Sequence, residues 1–303
     1  MGFFDLQVNG YGGVDLNADD ITADDMARMC EQLEADGTDG ILATVITDHI
    51  PVMISRLKRI VACCAANSAV RRVIRGIHIE GPFISPLDGY RGAHPEDAVV
   101  ASNIDLAKTL LDAADGMTRI VTLAPEQDPG QRVTRMLADI GVMVACGHSN
   151  ASIDQLNASV DAGLKMFTHL GNGCPARMAR HDNIIQRALS RSGDLWFCFI
   201  ADGRHIPLFA LANYLKLAGY DRSIVVTDAI AAASAGPGEF TLGRWRVTTD
   251  EDNAVRSADK SHFVGSTATM RQCFDHLAGE LHLPPEVCRR LLDENPRQAL
   301  CLP

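Results

Sequence analysis

The chain has 303 residues with 38 acidic and 28 basic side chains, which gives a formal net charge of −10. This balance provides no basic surface for a polyanion, and no apolar run reaches the roughly 20 residues of a membrane span, so we expect neither a nucleic-acid nor a membrane partner. The N-terminal residues lack the pattern of a secretory signal and the nine cysteines contain no CxxC pair, so we expect a cytoplasmic protein with reduced thiols.

Short apolar runs rich in β-branched residues alternate with longer amphipathic segments along most of the chain. This alternation is typical of βαβ units and of a parallel sheet. Strands are predicted at residues 3–8, 40–46, 73–79, 119–123, 141–146, 164–167, 195–200 and 223–226. Helices are predicted between them at residues 21–35, 51–66, 103–114, 131–140, 153–162 and 207–218. Asp48 and Ser152 are candidate helix caps.

Eight βα units predict an α/β fold of the (β/α)8 TIM-barrel type, which typically needs about 250 residues. An open doubly wound sheet is the alternative, but no GxGxxG turn follows the first strand. After the eighth strand the Gly-rich, alternating segment 236–266 predicts a β-hairpin insertion. Two helices near 267–281 and 284–293 would then close the barrel, so we expect one domain over residues 1–303.

Polar side chains follow several of the predicted strands, at the end where barrel enzymes carry their active sites. Glu80 follows the third strand, His148 the fifth and His169 the sixth. One carboxylate and two imidazoles make three metal ligands with an open position, as in a catalytic zinc site, and such an ion polarises a carbonyl and lowers the pKa of water. Asp228, after the eighth strand, could accept the proton and pass it to a leaving amine. These residues predict a metal-dependent amidohydrolase.

Each of these residues also has a structural interpretation. A single histidine at a strand end is more often a hydrogen-bonded structural residue than a ligand, and a lone glutamate before Gly-Pro is usually a turn carboxylate. The joint occurrence of Glu80, His148, His169 and Asp228, each at the functional end of its own strand, is hard to obtain from packing alone. The combination therefore favours the metal site.

Several motifs together resemble the N-acetylglucosamine-6-phosphate deacetylase family of the amidohydrolase superfamily, in order from residue 3 to about residue 302. They are DLQVNGYGGVDLN at 5–17, HIEGPF at 78–83, LAPE at 123–126, GHSNA at 147–151, THLGN at 168–172, ADGRH at 201–205, VTDA at 226–229 and GST at 265–267. The resemblance implies deacetylation of N-acetylglucosamine 6-phosphate, a small amino-sugar phosphate, to glucosamine 6-phosphate and acetate. It also implies a homodimer.

The resemblance assigns roles to individual positions. Glu80, His148 and His169 match the metal ligands of the family, and Asp228 matches its catalytic aspartate. His94 matches a histidine that binds the substrate carbonyl. The substrate-binding positions of the family correspond to Asn172 and Gly173 beside the last ligand and to Arg180 and His205 at the sugar phosphate, with the arginine coming from the neighbouring subunit.

Some positions depart from the family. Gln7 and Asn9 stand where many superfamily members carry His-x-His for a second metal, so we expect one divalent ion, with zinc preferred over iron, cobalt or manganese. Gly171 and Gly173 replace a usual tyrosine and alanine, which would widen the sugar pocket. His-Asp-Asn follows Arg180 where the family commonly has Glu-Pro-Gly.

We also expect the small β-sandwich of the family to be absent from this chain. Two other functions stay open. The substrate could be another N-acyl amino sugar or an N-acyl amino acid, or the chain could be a sugar-phosphate binder with weakened catalysis.

Overall fold

The computed structural model describes residues 2–249, 254–256 and 263–302. Within these ranges eight parallel strands form one sheet in which spatial neighbours follow chain order. The strands are β1 Phe3–Val8, β2 Thr38–Ile46, β3 Ile74–Glu80, β4 Thr118–Leu123, β5 Met143–Cys146, β6 Leu164–Phe167, β7 Trp196–Ile200 and β8 Ser223–Val226. All eight predicted strands and the TIM barrel are confirmed, with strand ends shifted by one or two residues.

The seam between β8 and β1 is closed largely by a side chain. Val8 and Ala229 form a parallel bridge, and the carboxylate of Asp5 accepts hydrogen bonds from the backbone nitrogen of Thr227 at 3.2 Å and from its hydroxyl at 2.5 Å. Burial raises the pKa of Asp5 to about 7. The seam places the end of β1 directly beside the loop that follows β8.

Helices connect successive strands around the outside of the barrel, and three more follow the hairpin. They are α1 Ala23–Ala35, α2 Ile50–Ala66, α3 Ser68–Val73, α4 Ile104–Ala113, α5 Arg132–Asp139, α6 Ile153–Asp161, α7 Ile184–Leu189, α8 Leu208–Ala218, α9 Met270–Asp275, α10 Pro285–Arg289 and α11 Asn295–Ala299. The sequence did not predict α3 and α7, which have six residues each, or α11, which has five. All three are too short for a clear helical period.

The two predicted caps have different outcomes. Ser152 caps α6, and its side chain accepts from the backbone nitrogen of Gln155 in a capping box. The prediction for Asp48 is wrong, because the N-cap of α2 is His49 without a side-chain cap bond. The Asp48 carboxylate instead pairs with Arg56 at 3.0 Å and with Arg244, and two guanidinium groups hold a buried carboxylate more strongly than one helix N-terminus.

The inside of the barrel below its mouth is filled with apolar side chains. They come from alternate positions of the strands, as the pleat requires, and the C-terminal residues after α11 pack against them. The members are Phe4, Leu6, Leu42, Ile120, Ala145, Met166, Trp196, Cys198, Ile200, Ile224 and Val226. This close-packed layer supports the polar side chains at the strand ends from below and limits their movement.

The predicted hairpin is confirmed where the structure describes it. Strands β9 Glu239–Leu242 and β10 Trp245–Thr248 pair antiparallel, while residues 250–253 and 257–262 of the predicted 236–266 insertion lie outside the described residues. The two closing helices are found in several pieces, with π-helical turns at His276–Glu280 and Arg290–Glu294. The described ranges contain no β-sandwich beside the barrel, and no helix in them is long and apolar enough to cross a membrane.

Candidate metal centre and active site

A cavity of about 290 Å³ opens at the C-terminal ends of the barrel strands. This is the end at which the polar strand-end residues were expected to meet. Every predicted site residue except Arg180 lines it, namely Glu80, His94, His148, His169, Asn172, Gly173, His205 and Asp228. Arg180 is exposed, in the loop before α7. Within one chain the structure therefore brings eight of the nine predicted residues together.

Glu80, His148 and His169 converge on one point at the floor of this cavity. The Oε1 atom of Glu80 lies 2.9 Å from Nε2 of His169 and 3.3 Å from Nε2 of His148. All three side chains are buried, and their nearest ligand atoms lie within 4.8 Å of one another. A carboxylate oxygen and two imidazole nitrogens at these separations could hold a metal ion.

The hydrogen bonds of the two histidines support this interpretation. Nδ1 of His148 lies 3.0 Å from the carbonyl oxygen of Tyr90, and because a carbonyl only accepts, Nδ1 must carry the hydrogen. The Nε2 atom faces the Glu80 carboxylate at 3.3 Å. It can bind a cation when the ring is neutral, and it donates a hydrogen bond to Glu80 when the ring is protonated and no cation is bound. Nδ1 of His169 has no hydrogen-bond partner among the described residues. The donor set thus fits a divalent cation.

The two carboxylates of the site have opposite pKa shifts. Burial opposes ionisation of Glu80, but hydrogen bonds from His148 and His169 outweigh it and hold the pKa of Glu80 well below its ordinary value. Burial, and next the charge of Glu80, raise the pKa of Asp228 to about 6. The lowered pKa favours the ionised form of Glu80, while the raised pKa of Asp228 brings its proton exchange closer to neutral pH.

Three of the four central residues have a left-handed backbone conformation. The φ angles are +49° at His148, +31° at His169 and +52° at Asp228. Residues with a side chain seldom adopt this region, and such strain persists where surrounding structure enforces it, often at functional sites. The bond from the Ser85 nitrogen to the His148 carbonyl, at 2.9 Å, is one such restraint.

His94 lies beside the ligand set, not on the surface. Its Nε2 is 3.1 Å from Nε2 of His148, and the two rings meet edge to face with centroids 4.3 Å apart. Burial, and next the proximity of His148, lower the pKa of His94 to about 3. His94 is therefore a neutral ring that faces the point on which the ligands converge.

Two further carboxylates hold site residues in place and were missed in the sequence. Oε2 of Glu126 accepts from the Ser149 hydroxyl at 2.6 Å and its Oε1 from the Asn150 nitrogen at 2.6 Å, which fixes the loop after His148. Oδ2 of Asp202 lies 2.7 Å from Nδ1 of His205. Both lie in motifs that carry the family resemblance, LAPE and ADGRH, but a motif does not say which atom its carboxylate contacts.

The two unusual glycines have different surroundings. At Gly173 an added Cβ would lie 2.9 Å from Nδ1 of His148, and φ is +59°, so only glycine allows this approach of backbone and ligand. At Gly171, Ile206 and Tyr214 lie 3.3 and 3.6 Å from the place of a Cβ. These neighbours occupy part of the space that the missing tyrosine was expected to leave.

Similarity to known proteins extends over most of the chain. The N-acetylglucosamine-6-phosphate deacetylase of Bos taurus is 32% identical over 282 residues, which cover 91% of this chain and 68% of that protein. The N-acetylgalactosamine-6-phosphate deacetylase of Shewanella sp. (strain ANA-3) is 32% identical over 93% of this chain and 69% of that protein. A solved N-acetyl-D-glucosamine-6-phosphate deacetylase from Mycobacterium smegmatis, in complex with N-acetyl-D-glucosamine-6-phosphate, matches 100% of this chain and 77% of its own with a TM-score of 0.90 and 30% identity. No family model matches.

Proposed function

Because the chain belongs to the N-acetylglucosamine-6-phosphate deacetylase family, hydrolases of an amide C–N bond, we propose that it converts N-acetylglucosamine 6-phosphate to glucosamine 6-phosphate and acetate. The observation that carries the proposal is the buried set of Glu80, His148 and His169 in the same cavity as Asp228. This set supplies both an electrophile site and a base, which amide hydrolysis needs.

We propose that Glu80, His148 and His169 hold one divalent ion, zinc in preference to iron, cobalt or manganese, because two imidazoles and a carboxylate are typical zinc ligands. When bound, such an ion polarises the acetamide carbonyl and lowers the pKa of water. A single ion is proposed because Gln7 and Asn9 point N–H donors toward the carboxylates, and an N–H group cannot be a ligand.

The protein groups account for the proton movements. We propose that Asp228 accepts a proton from water as the water oxygen bonds to the carbonyl carbon, and then gives it to the nitrogen as the C–N bond breaks. The products are acetate and a free amine. We propose that His94, neutral and buried, donates a hydrogen bond to the carbonyl oxygen as negative charge develops there.

The remaining predicted residues are proposed to bind the sugar phosphate. Asn172 and Gly173 line the cavity beside His169 and would contact the sugar, and His205 would contact the phosphate. Arg180 is exposed in its own chain, which supports a homodimer in which it serves the neighbouring site. We further propose that residues 1–303 act as one catalytic barrel domain. We also propose that the protein is cytoplasmic, because all nine cysteines lie in the described ranges as free thiols, as expected in a reducing compartment.

The test is release of acetate by the purified, metal-loaded protein from N-acetylglucosamine 6-phosphate. We expect multiple turnovers, and slower turnover of N-acetylglucosamine without the phosphate. No acetate from this or any other N-acetylhexosamine 6-phosphate contradicts the proposal, while equal rates with and without the phosphate point to an unphosphorylated amino sugar.

A second candidate substrate is the C4 epimer, N-acetylgalactosamine 6-phosphate. It is favoured by the Shewanella relative, which is as similar to this chain as the bovine enzyme. The chemistry at the acetamide is the same, so only contacts to the sugar can distinguish the two. The ratio of kcat/KM for the two epimers decides between them.

A further inference from the structure

The end of strand β1 presents two buried amide side chains to the two carboxylates of the site. Nε2 of Gln7 lies 3.0 Å from Oε1 of Glu80 and 3.1 Å from Oδ1 of Asp228. Nδ2 of Asn9 lies 2.7 Å from the same Oδ1. Gln7 is 1% exposed and Asn9 2%. These two buried amides therefore contact both carboxylates at the floor of the cavity.

The orientation of both amides follows from their partners. An ionised carboxylate only accepts hydrogen bonds, so the NH₂ group and not the oxygen of each amide must face it. Both amides bond to Oδ1 of Asp228, and no hydrogen bond to its Oδ2 occurs within the described part of the chain. The two oxygens of Asp228 are thus in different environments.

We propose that Gln7 and Asn9 are positioning residues, which fix Oδ1 of Asp228 so that Oδ2 is the oxygen that exchanges protons with water and the leaving amine. Two N–H donors stabilise negative charge on Oδ1 and make it less basic, and they fix the plane of the carboxylate. Gln7 also stands between two like charges, since one N–H faces Glu80 and the other Asp228. This inference rests on the proposed deacetylase function.

The backbone that carries the amides is bonded to the backbone that carries the base. The nitrogen of Gln7 donates to Oδ1 of Asp5 at 3.1 Å, and Asp5 in turn accepts from Thr227, the residue before Asp228. The nitrogen of Asn9 donates to the carbonyl of Ala229 at 2.7 Å. The backbone bonds of the barrel seam therefore help to set the distance between the amides and Asp228.

The experiment compares Gln7→Met and Asn9→Leu, which keep size but remove the donors. We expect each to lower kcat about 10- to 100-fold, as loss of a group that orients a catalytic partner typically does, with KM changed less than about twofold and the metal content unchanged. In an Asp228→Ala background, where the amides have no carboxylate to orient, Asn9→Leu should not lower the residual rate further.

Asn295→Ala is the matched control. Asn295 is also a buried amide with two donor bonds, to the carbonyls of Tyr220 and Ser223 at the opposite end of the barrel, and we expect it to lower thermal stability without lowering kcat. A crystal structure of Asn9→Leu should show the Asp228 carboxylate rotated, which tests the inference even if Gln7→Met does not fold.

The inference is overturned if the kcat of both variants matches that of Asn295→Ala, if the loss of rate follows loss of metal, or if Asn9→Leu costs as much in the Asp228→Ala background. If the wild-type protein still releases acetate in those cases, only this inference fails and the proposed function stands. A wild-type protein that releases no acetate overturns both.

Discussion

The proposed metal end and the proposed phosphate end of the cavity are built differently. At the proposed metal end, Glu80 is the last residue of β3, and His148 and His169 each lie two residues after a strand. All three are buried, and Oε1 of Glu80 lies 2.9 Å from Nε2 of His169 and 3.3 Å from Nε2 of His148. At the proposed phosphate end, His205 lies in a loop, and Arg180 is exposed and does not line the cavity. Strand register fixes the first set within one chain, whereas the second depends on loops and, as we propose, on another subunit.

The sharpest test of the metal end is removal of one ligand. His169→Ala leaves two protein ligands, so we expect metal to be lost and acetate release to fall below detection, the largest effect of any variant considered. Metal content and acetate release should be measured on the same sample. His282→Ala, which removes a surface histidine that does not line the cavity, is the control. A His169→Ala protein with full metal and activity would mean that the three side chains are not the ligand set.

Within the proposed metal end, a second variant separates the role of the proposed base, Asp228, from that of the proposed ligands. Asp228→Asn should lower kcat by about 10²- to 10⁴-fold because the general base is lost, while metal content is retained. The asparagine side chain still has an oxygen that can accept the hydrogen bonds of Gln7 and Asn9, so the fold should be unaffected. Asp221→Asn, at a surface ion pair with Arg290, is the control for amidation. Loss of metal from the Asp228→Asn protein would indicate that Asp228 is itself a metal ligand.

The contrast between the two ends also explains what the sequence could predict. Apolar runs predict where strands end, and Glu80, His148, His169 and Asp228 each lie within two residues of such a predicted end. Their convergence at one end of the barrel could therefore be predicted from the sequence. The left-handed backbone at three of them was not, because it depends on contacts from distant loops. The cap assigned to Asp48 was wrong for the same reason, since its partner Arg244 is 196 residues away.

The pH profile should distinguish the base from the phosphate-binding groups. Asp228 must be ionised to accept a proton, and burial, with the charge of Glu80, raises its pKa to about 6. A bound cation favours the ionised form, so the acid limb of kcat should lie at or below about pH 6. Below that limb kcat falls about tenfold per pH unit.

The sugar phosphate has its own ionisation near pH 6, so kcat should be measured with the phosphorylated substrate and with N-acetylglucosamine. An acid limb common to both substrates belongs to the protein. A limb seen with the phosphorylated substrate alone belongs to the phosphate end, and a flat profile down to about pH 4 contradicts a base with a raised pKa.

The smallest effect on the chemical step is expected at Arg180. A charge-assisted bond to a phosphate contributes about 1.5–3 kcal/mol, so Arg180→Ala should raise KM for the phosphorylated substrate about 10- to 100-fold and leave kcat, and the rate with the unphosphorylated sugar, unchanged. Arg177→Ala, an exposed arginine of the same loop, is the control.

Mixing two inactive or weakened proteins decides where Arg180 acts. In a heterodimer of Arg180→Ala and His169→Ala chains, the first chain has an intact metal end and the second an intact arginine. If the arginine crosses the interface, one site of this heterodimer is complete, and low-KM activity returns on mixing. If Arg180 reaches its own cavity instead, no complete site forms and KM stays high, and the phosphate end would then be as self-contained as the metal end.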